Sequence, residues 1–204
     1  MKKIFPIILL TLYLLETMAL GVDPSSRSTW LAESITAWIP LACLIVLYVR
    51  KIRFSNTAYL CMALWFFLHT IGGHYTFAEV PFDWITNTFH FSRNNFDRIC
   101  HFMVGSFAYV LLEVSERYRL VRIFGLSVFL TIMTIFGFAA IFELIEWIYA
   151  ECSSPEDGIA FLGSQGDIWD AQKDMLADGL GAICFSALYA CIRYFCRHNE
   201  ENKS

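Results

Sequence analysis

The sequence predicts an all-α fold: a polytopic membrane protein built as a six-transmembrane-helix bundle with both termini cytoplasmic. Three observations predict it. The first is composition, because 57% of the 204 residues are hydrophobic and only 17% charged, with 19 Phe and 6 Trp, against about 25% charged in soluble domains; mean hydropathy is +0.51. The second is segmentation. Apolar stretches recur over residues 4–22, 34–49, 54–74, 98–112, 123–150 and 170–195 of one integral membrane domain, and their lengths approach the roughly 20 residues that a helix needs to cross the hydrocarbon core. None alternates with the period of two that a transmembrane β-barrel requires. The third is the placement of Lys and Arg, which stay on the cytoplasmic side. Lys2, Lys3, Arg50, Lys51, Arg53, Arg117, Arg119, Arg122, Arg193, Arg197 and Lys203 fall on one side, and Arg27, Arg93, Arg98 and Lys173 on the other.

The first span follows Lys2 and Lys3. A basic start, an apolar run and Ala19-Leu20-Gly21 also fit a cleavable signal peptide, but five remaining spans would need the new N-terminus outside, so the span is expected to stay. The second span ends at the basic group of Arg50, Lys51 and Arg53. The third ends in His69-Thr-Ile-Gly-Gly-His74, where Gly72 and Gly73 allow a helix or ligand to come close. His69 and His74 lie about 140° apart around the helix, so they need not share a site, and either could be a buried histidine bonded to a neighbouring helix.

Two outer segments follow from this topology, Tyr75 to Asp97 and Glu151 to Trp169. The second is rich in turn formers and holds no Lys or Arg, which reads as an ordered loop over the helix ends. The seven cysteines include no CxxC pair, so neither a zinc ribbon nor a disulfide framework is expected. A net charge of −4 supplies no basic footprint for nucleic acid. That total is a difference between a basic cytoplasmic face and an acidic outer one.

Ionisable groups inside spans are expensive, which makes them candidates for function. Asp97 and His101 enter the fourth span at i and i+4 and project from one face. A carboxylate beside an imidazole can bind a metal or fix the tautomer of a general base; helix capping explains Asp97 equally well but not a histidine one turn inside. Glu143 and Glu146 share a face near the end of the fifth span, where the helix dipole disfavours anions. Asp170, Asp174 and Asp178 form a stripe at i, i+4 and i+8 into the sixth span, rising about 12 Å. The first two suit a helix N-terminus at headgroup level, whereas Asp178 needs a partner, and Gly179 and Gly181 mark a close helix contact beside it.

If the outer ends of spans three to six converge, Asp97, Glu143, Glu146, Asp174 and Asp178 meet Arg93, Arg98 and Lys173 in a low dielectric. The acids then need shared protons or a divalent cation, and oxygen and imidazole donors suit Mg²⁺, Mn²⁺, Fe²⁺ or Zn²⁺. The expected metal ligands are His69, His101, Glu143, Glu146, Asp174 and Asp178. Asp97, His101, Glu143 and Glu146 are the catalytic candidates, as base, ligand or acid. Arg93, Arg98, Asp170 and Gln165 are the substrate contacts, the arginines facing a phosphate headgroup.

His69 to Phe77, Arg93-Asn-Asn-Phe-Asp-Arg, Glu143-Leu-Ile-Glu-Trp and the run from Gly163 to Met175 resemble the YjdF family of bacterial inner-membrane proteins over nearly the whole chain. The resemblance implies location and span count, not an activity. A weaker one lies in motif order. Asp97-Arg-x-x-His101-Phe102, then Glu143-x-x-Glu146, then Asp174-x-x-x-Asp178-x-x-Gly181 is similar to the VanZ-like membrane proteins, which tend to carry amides where this chain has Glu146 and Asp178. That likeness implies an envelope compartment and envelope substrates at most.

The sequence therefore reads as a bacterial inner-membrane protein with the bilayer as its partner and a polar acidic and histidine site at the outer ends of its helices, and it leaves open whether that site is catalytic. The first reading is a metal-dependent enzyme acting on a lipid or lipid-linked envelope substrate, with a lipid headgroup as its further partner. A small ion- or proton-coupled transporter is the alternative, although the acids sit near one face rather than at the midplane. A non-catalytic envelope assembly factor is another, with the Glu151 to Trp169 loop as its contact surface.

Overall fold

The structure, a computed structural model, describes residues 4–201, without the side chains of Arg197, Asn199, Glu200 and Glu201. Lys2, Lys3 and Lys203, which contribute to the charge pattern, lie outside the described residues. Those residues form helices and connecting turns with no strand. The order is α1 (Phe5–Leu20), α2 (Arg27–Val49), α3 (Asn56–His74), α4 (Asp83–Thr88), α5 (Phe96–Val104), α6 (Phe107–Arg117), α7 (Phe124–Cys152), α8 (Pro155–Leu162) and α9 (Asp170–Glu201).

Among the described residues, four stretches are long and apolar enough to cross a bilayer: α2, α5 and α6 taken together, α7, and Asp170–Cys196 of α9. Helix α1 is apolar but has 16 residues. Helix α3 has 19 and ends in His69, Thr70, Gly72, Gly73 and His74. Its polarity is affordable because α3 is central, packed against α1, α2, α5 and α6, so most of its surface meets protein rather than lipid.

Three boundaries differ from the sequence expectation, each for a local reason. Helix α2 starts at Arg27 rather than residue 34, because Ser26 caps it by accepting a hydrogen bond from the Thr29 amide at 3.2 Å. The fourth span is two helices. At Gly105 and Ser106 the chain tightens into i to i+3 bonds, Ser106 N–H to Met103 O and Ala108 N–H to Gly105 O at 3.0 Å each, while the Ser106 hydroxyl donates to the Cys61 carbonyl at 2.9 Å. The outer loop holds α8, started by a Ser154 cap with Pro155 and two acids in its first turn and stopped by Gly163 in the left-handed region at φ 60°.

Packing divides the molecule into two ends. At the end where α6 finishes, Tyr13, Met62, Trp65, Phe66, Tyr109 and Leu112 form an apolar core around α3. Polar ties close that end: Glu113 accepts from the Ser55 amide at 2.9 Å and pairs with Arg117, and Glu116 accepts from Tyr189 and Arg193 at 2.7 Å each. At the other end, called the α8 end below, α5 and α9 pack side by side, with α3 against α5, α7 against α9, and α8 on α7 and α2.

Candidate functional site

The contact between α5 and α9 is set by glycine. A Cβ on Gly181 would lie 1.9 Å from the Phe102 carbonyl oxygen, and one on Gly105 would lie 2.2 Å from the Ala182 nitrogen. Only with hydrogen at both positions can the two backbones approach this closely. The approach brings the faces bearing Asp97 and His101 against the one bearing Asp174 and Asp178.

At that contact His101 is held from both ring nitrogens. Its Nδ1 lies 3.1 Å from Asp178 Oδ2, and its Nε2 lies 3.5 Å from Asp97 Oδ1 and 3.7 Å from Asp174 Oδ1. All four side chains are buried: Asp178 is 1% exposed and Asp174 2%. Asp97, His101 and Asp174 each offer a ligand atom within 4.8 Å of the other two, close enough that the three could hold a metal ion. Donors about 2.0–2.2 Å from a common ion stand roughly 3–4 Å apart, as the two spacings from His101 do. Asp178, on the opposite ring nitrogen, stands where a carboxylate can fix the orientation of a histidine ring. Its second oxygen, Oδ1, is buried without a hydrogen-bond partner.

The arginines lie outside this cluster, toward the α8 end. Arg98 donates to Asp174 Oδ1 and, at 2.5 Å, to Asp170 Oδ1, and it stands 3.4 Å from Asp167. Arg93 binds Asp170, Asp97 at 3.3 Å, and the carbonyls of Ser164 and Gly163. Lys173 pairs with Asp167 at 2.6 Å; this contact, with the Trp169 amide, holds the Asp167 carboxyl below its ordinary range. Gln165 exchanges two hydrogen bonds of 2.9 Å with the Asn94 backbone. Arg93, Arg98, Asp170 and Gln165 thus share one network that ties the loop before α9 to the start of α5.

Beside the cluster lies a cavity of about 700 Å³, within the range of ligand sites. Glu33, His69, Asp97, His101, Glu146 and Asp178 supply its polar lining. Apolar residues supply the rest. Ile35 and Ile39 of α2 and Phe138, Ile141 and Ile145 of α7 line it while also being exposed on the surface of the bundle, so the cavity opens sideways between α2 and α7. At the α8 end it is covered by Phe161, Leu162 and Gly163, and α8 is fastened to α2 by a 2.5 Å hydrogen bond from Ser28 to Asp157. That bond and one from Ser154 hold the Asp157 carboxyl below its ordinary value.

The expected ligands therefore separate. His101 and Asp174 come together with Asp97, and Asp178 stands behind the histidine. His69 is on the α2 side of the cavity, stacked on Trp65 at 4.8 Å and facing Glu33. Glu146 lines the cavity and is 9% exposed. Glu143 lies outside the lining, with a buried Oε1 that has no partner. His74, as its angular separation from His69 suggests, serves elsewhere: its Nδ1 bonds the Leu20 carbonyl at 2.6 Å.

Glu33 is the residue that sequence reasoning missed. It is 2% exposed, its carbonyl and its Oε2 lie 3.1 and 3.3 Å from His69 Nε2, and Gly73 gives its side chain room. The capping Ser26, which extends the second helix back past Glu33, was the available signal.

Comparison with known proteins agrees with the membrane character of the chain. The family described as "Predicted membrane protein (DUF2238)" matches residues 5–194. The inner membrane protein YjdF of Escherichia coli (strain K12) is 33% identical over 201 residues, covering 96% of this chain and 94% of that protein. No solved structure matches.

Proposed function

The chain belongs to the DUF2238 family of membrane proteins, and from that premise we propose that it is a metal-dependent enzyme acting on a lipid or lipid-linked substrate at the outer face of the bacterial inner membrane. In this reading the chain crosses the bilayer six times with both termini cytoplasmic, and the α8 end is periplasmic. The basic residues at the opposite end of the bundle support that orientation.

One observation carries the reading: a cavity of about 700 Å³ combines an apolar opening between α2 and α7 with a buried set of metal-compatible donors. A lipid chain enters from the membrane through the apolar side and places its headgroup at the polar end. Asp97, His101 and Asp174 would hold the ion, which when bound would act as a Lewis acid and lower the pKa of water. Asp178 fixes the His101 tautomer. Arg98, which donates to Asp174 Oδ1, also donates to Asp170 and stands 3.4 Å from Asp167, so it would keep acidic partners if Asp174 held an ion. Glu146, in the cavity wall, is the candidate acid or base.

The carrier alternative has less support. The cavity reaches Leu111 and Ile135, short of the hydrogen-bonded pair Ser115 and Ser127 and short of Arg119.

The test is metal quantification on purified full-length protein. Wild type is expected to hold about one divalent ion per chain, and His101→Ala to lose it while keeping the helical signal. A folded wild type that binds no divalent ion contradicts the proposal.

A further inference from the structure

The cavity's charge is one-sided. Four carboxylates line it, from Glu33, Asp97, Glu146 and Asp178, with two imidazoles and no lysine or arginine. Asp97 and Asp178 are occupied by Arg93 and His101, and Glu33 Oε2 faces only the His69 imidazole at 3.3 Å, so Glu33 and Glu146 have no lysine or arginine partner. Glu33 Oε2 is buried without a hydrogen-bond partner, on a residue only 2% exposed. Glu146 makes no hydrogen bond or ion pair with any described residue. Both carboxylates belong to the cavity wall, on α2 and α7, the two helices that flank its opening. Aromatic rings, Trp65, Phe77 and Phe142, stand in the same lining, and such faces attract ammonium groups.

We infer that the headgroup recognised here carries an ammonium: a zwitterionic, amine-bearing phospholipid of the phosphatidylethanolamine type, its ammonium received by Glu33 and Glu146. This rests on the lipid-site reading above and names the substrate class. A buried carboxylate with an imidazole as its only neighbour, as at Glu33, is costly to ionise, and an ammonium supplies a fixed positive charge and hydrogen-bond donors to Glu33 and Glu146. An anionic headgroup without an amine meets only repulsion from that wall. The source is a lipid rather than a free amine because the cavity opens through Ile39 and Phe138 into the apolar belt.

The experiment uses the full chain in detergent, titrated with phosphatidylethanolamine, phosphatidylglycerol or free ethanolamine, with binding read from the shift in thermal unfolding. Charge-assisted hydrogen bonds in a buried site predict a preference of about tenfold or more for phosphatidylethanolamine over phosphatidylglycerol. The isosteric changes Glu33→Gln and Glu146→Gln should each shrink that preference. Equal binding of the two lipids by wild type overturns the inference without recourse to any variant, as does a full preference retained in both variants. Ethanolamine binding as tightly as the lipid overturns the lipid source. Metal content measured on the same samples keeps the two readings apart. A metal-free protein that prefers the amine lipid loses only the enzyme reading, and a metal-loaded protein without the preference loses only this one.

Discussion

Gly181→Ala concentrates the account in one methyl group. The added Cβ falls 1.9 Å from the Phe102 carbonyl oxygen and 3.2 Å from Gly105 Cα, both backbone atoms that no rotamer change can move aside. An ordinary contact begins near 3.4 Å, so α5 and α9 must part by about 1.5 Å. Phe102 adjoins His101, and Gly181 is one turn from Asp178. A displacement of that size carries the 3.1 Å contact between His101 and Asp178 beyond hydrogen-bonding distance. Overpacking costs about 1–3 kcal/mol, offset by up to about 1 kcal/mol from the better helix propensity of alanine. The net expectation is a loss of about 1–2 kcal/mol in thermal or denaturant unfolding of the detergent-solubilised protein, with weakened metal retention. Gly125→Ala and Gly137→Ala are the controls, because nothing lies within 4 Å of a Cβ at either position; both should be neutral or slightly stabilising. A Gly181→Ala protein as stable and as metal-competent as wild type would refute the claim that glycine contact builds the site.

Other consequences follow from separate parts of the molecule. Cys152 and Cys196 are both exposed and lie at opposite ends of the bundle. In single-cysteine variants, a membrane-impermeant maleimide applied to spheroplasts should label Cys152 and spare Cys196, and the reverse pattern inverts the proposed orientation. The Asp157 carboxyl is held below its ordinary 3.8 by Ser28 and Ser154. A depressed folded-state pKa contributes stability above the unfolded value and loses it as pH falls through the folded one. The protection of α8 amides, corrected for the intrinsic exchange rate at each pH, should thus be constant down to about pH 4 and fall below it, an effect that Ser28→Ala weakens. The buried hydroxyls of Ser115 and Ser127, 2.7 Å apart, join α6 to α7. Their double-alanine cycle should give a coupling of about 0.5–1.5 kcal/mol, and strictly additive single changes contradict the bond.

The parts of this site that could be read in the sequence were those governed by rules of cost and spacing. Asp97, His101 and Asp178 stand in otherwise apolar helices, where an ionisable group must find a partner, and i to i+4 spacing fixes which of them share a face. Gly181 beside Asp178 announced the close contact. What the sequence could not supply was which faces meet. His69 was grouped with His101 because both lie near one membrane depth, yet it turns to α2 and Glu33. Arg93 and Arg98 read as phosphate ligands, but the acids at the start of α9 surround them. Glu33 escaped because hydropathy places a helix where apolar residues begin, whereas the Ser26 cap begins it seven residues earlier. Helix α8 escaped for the converse reason. Its turn formers look like a loop, although Ser154-Pro155-Glu156-Asp157 is a strong helix start.

The central claim is that Asp97, His101 and Asp174 hold a divalent ion. X-ray absorption on the metal-loaded protein tests it most directly. The account predicts one imidazole nitrogen among oxygen donors at about 2.0–2.2 Å, with the imidazole signature absent from any metal remaining in His101→Ala. An all-oxygen spectrum, identical in wild type and variant, would contradict it.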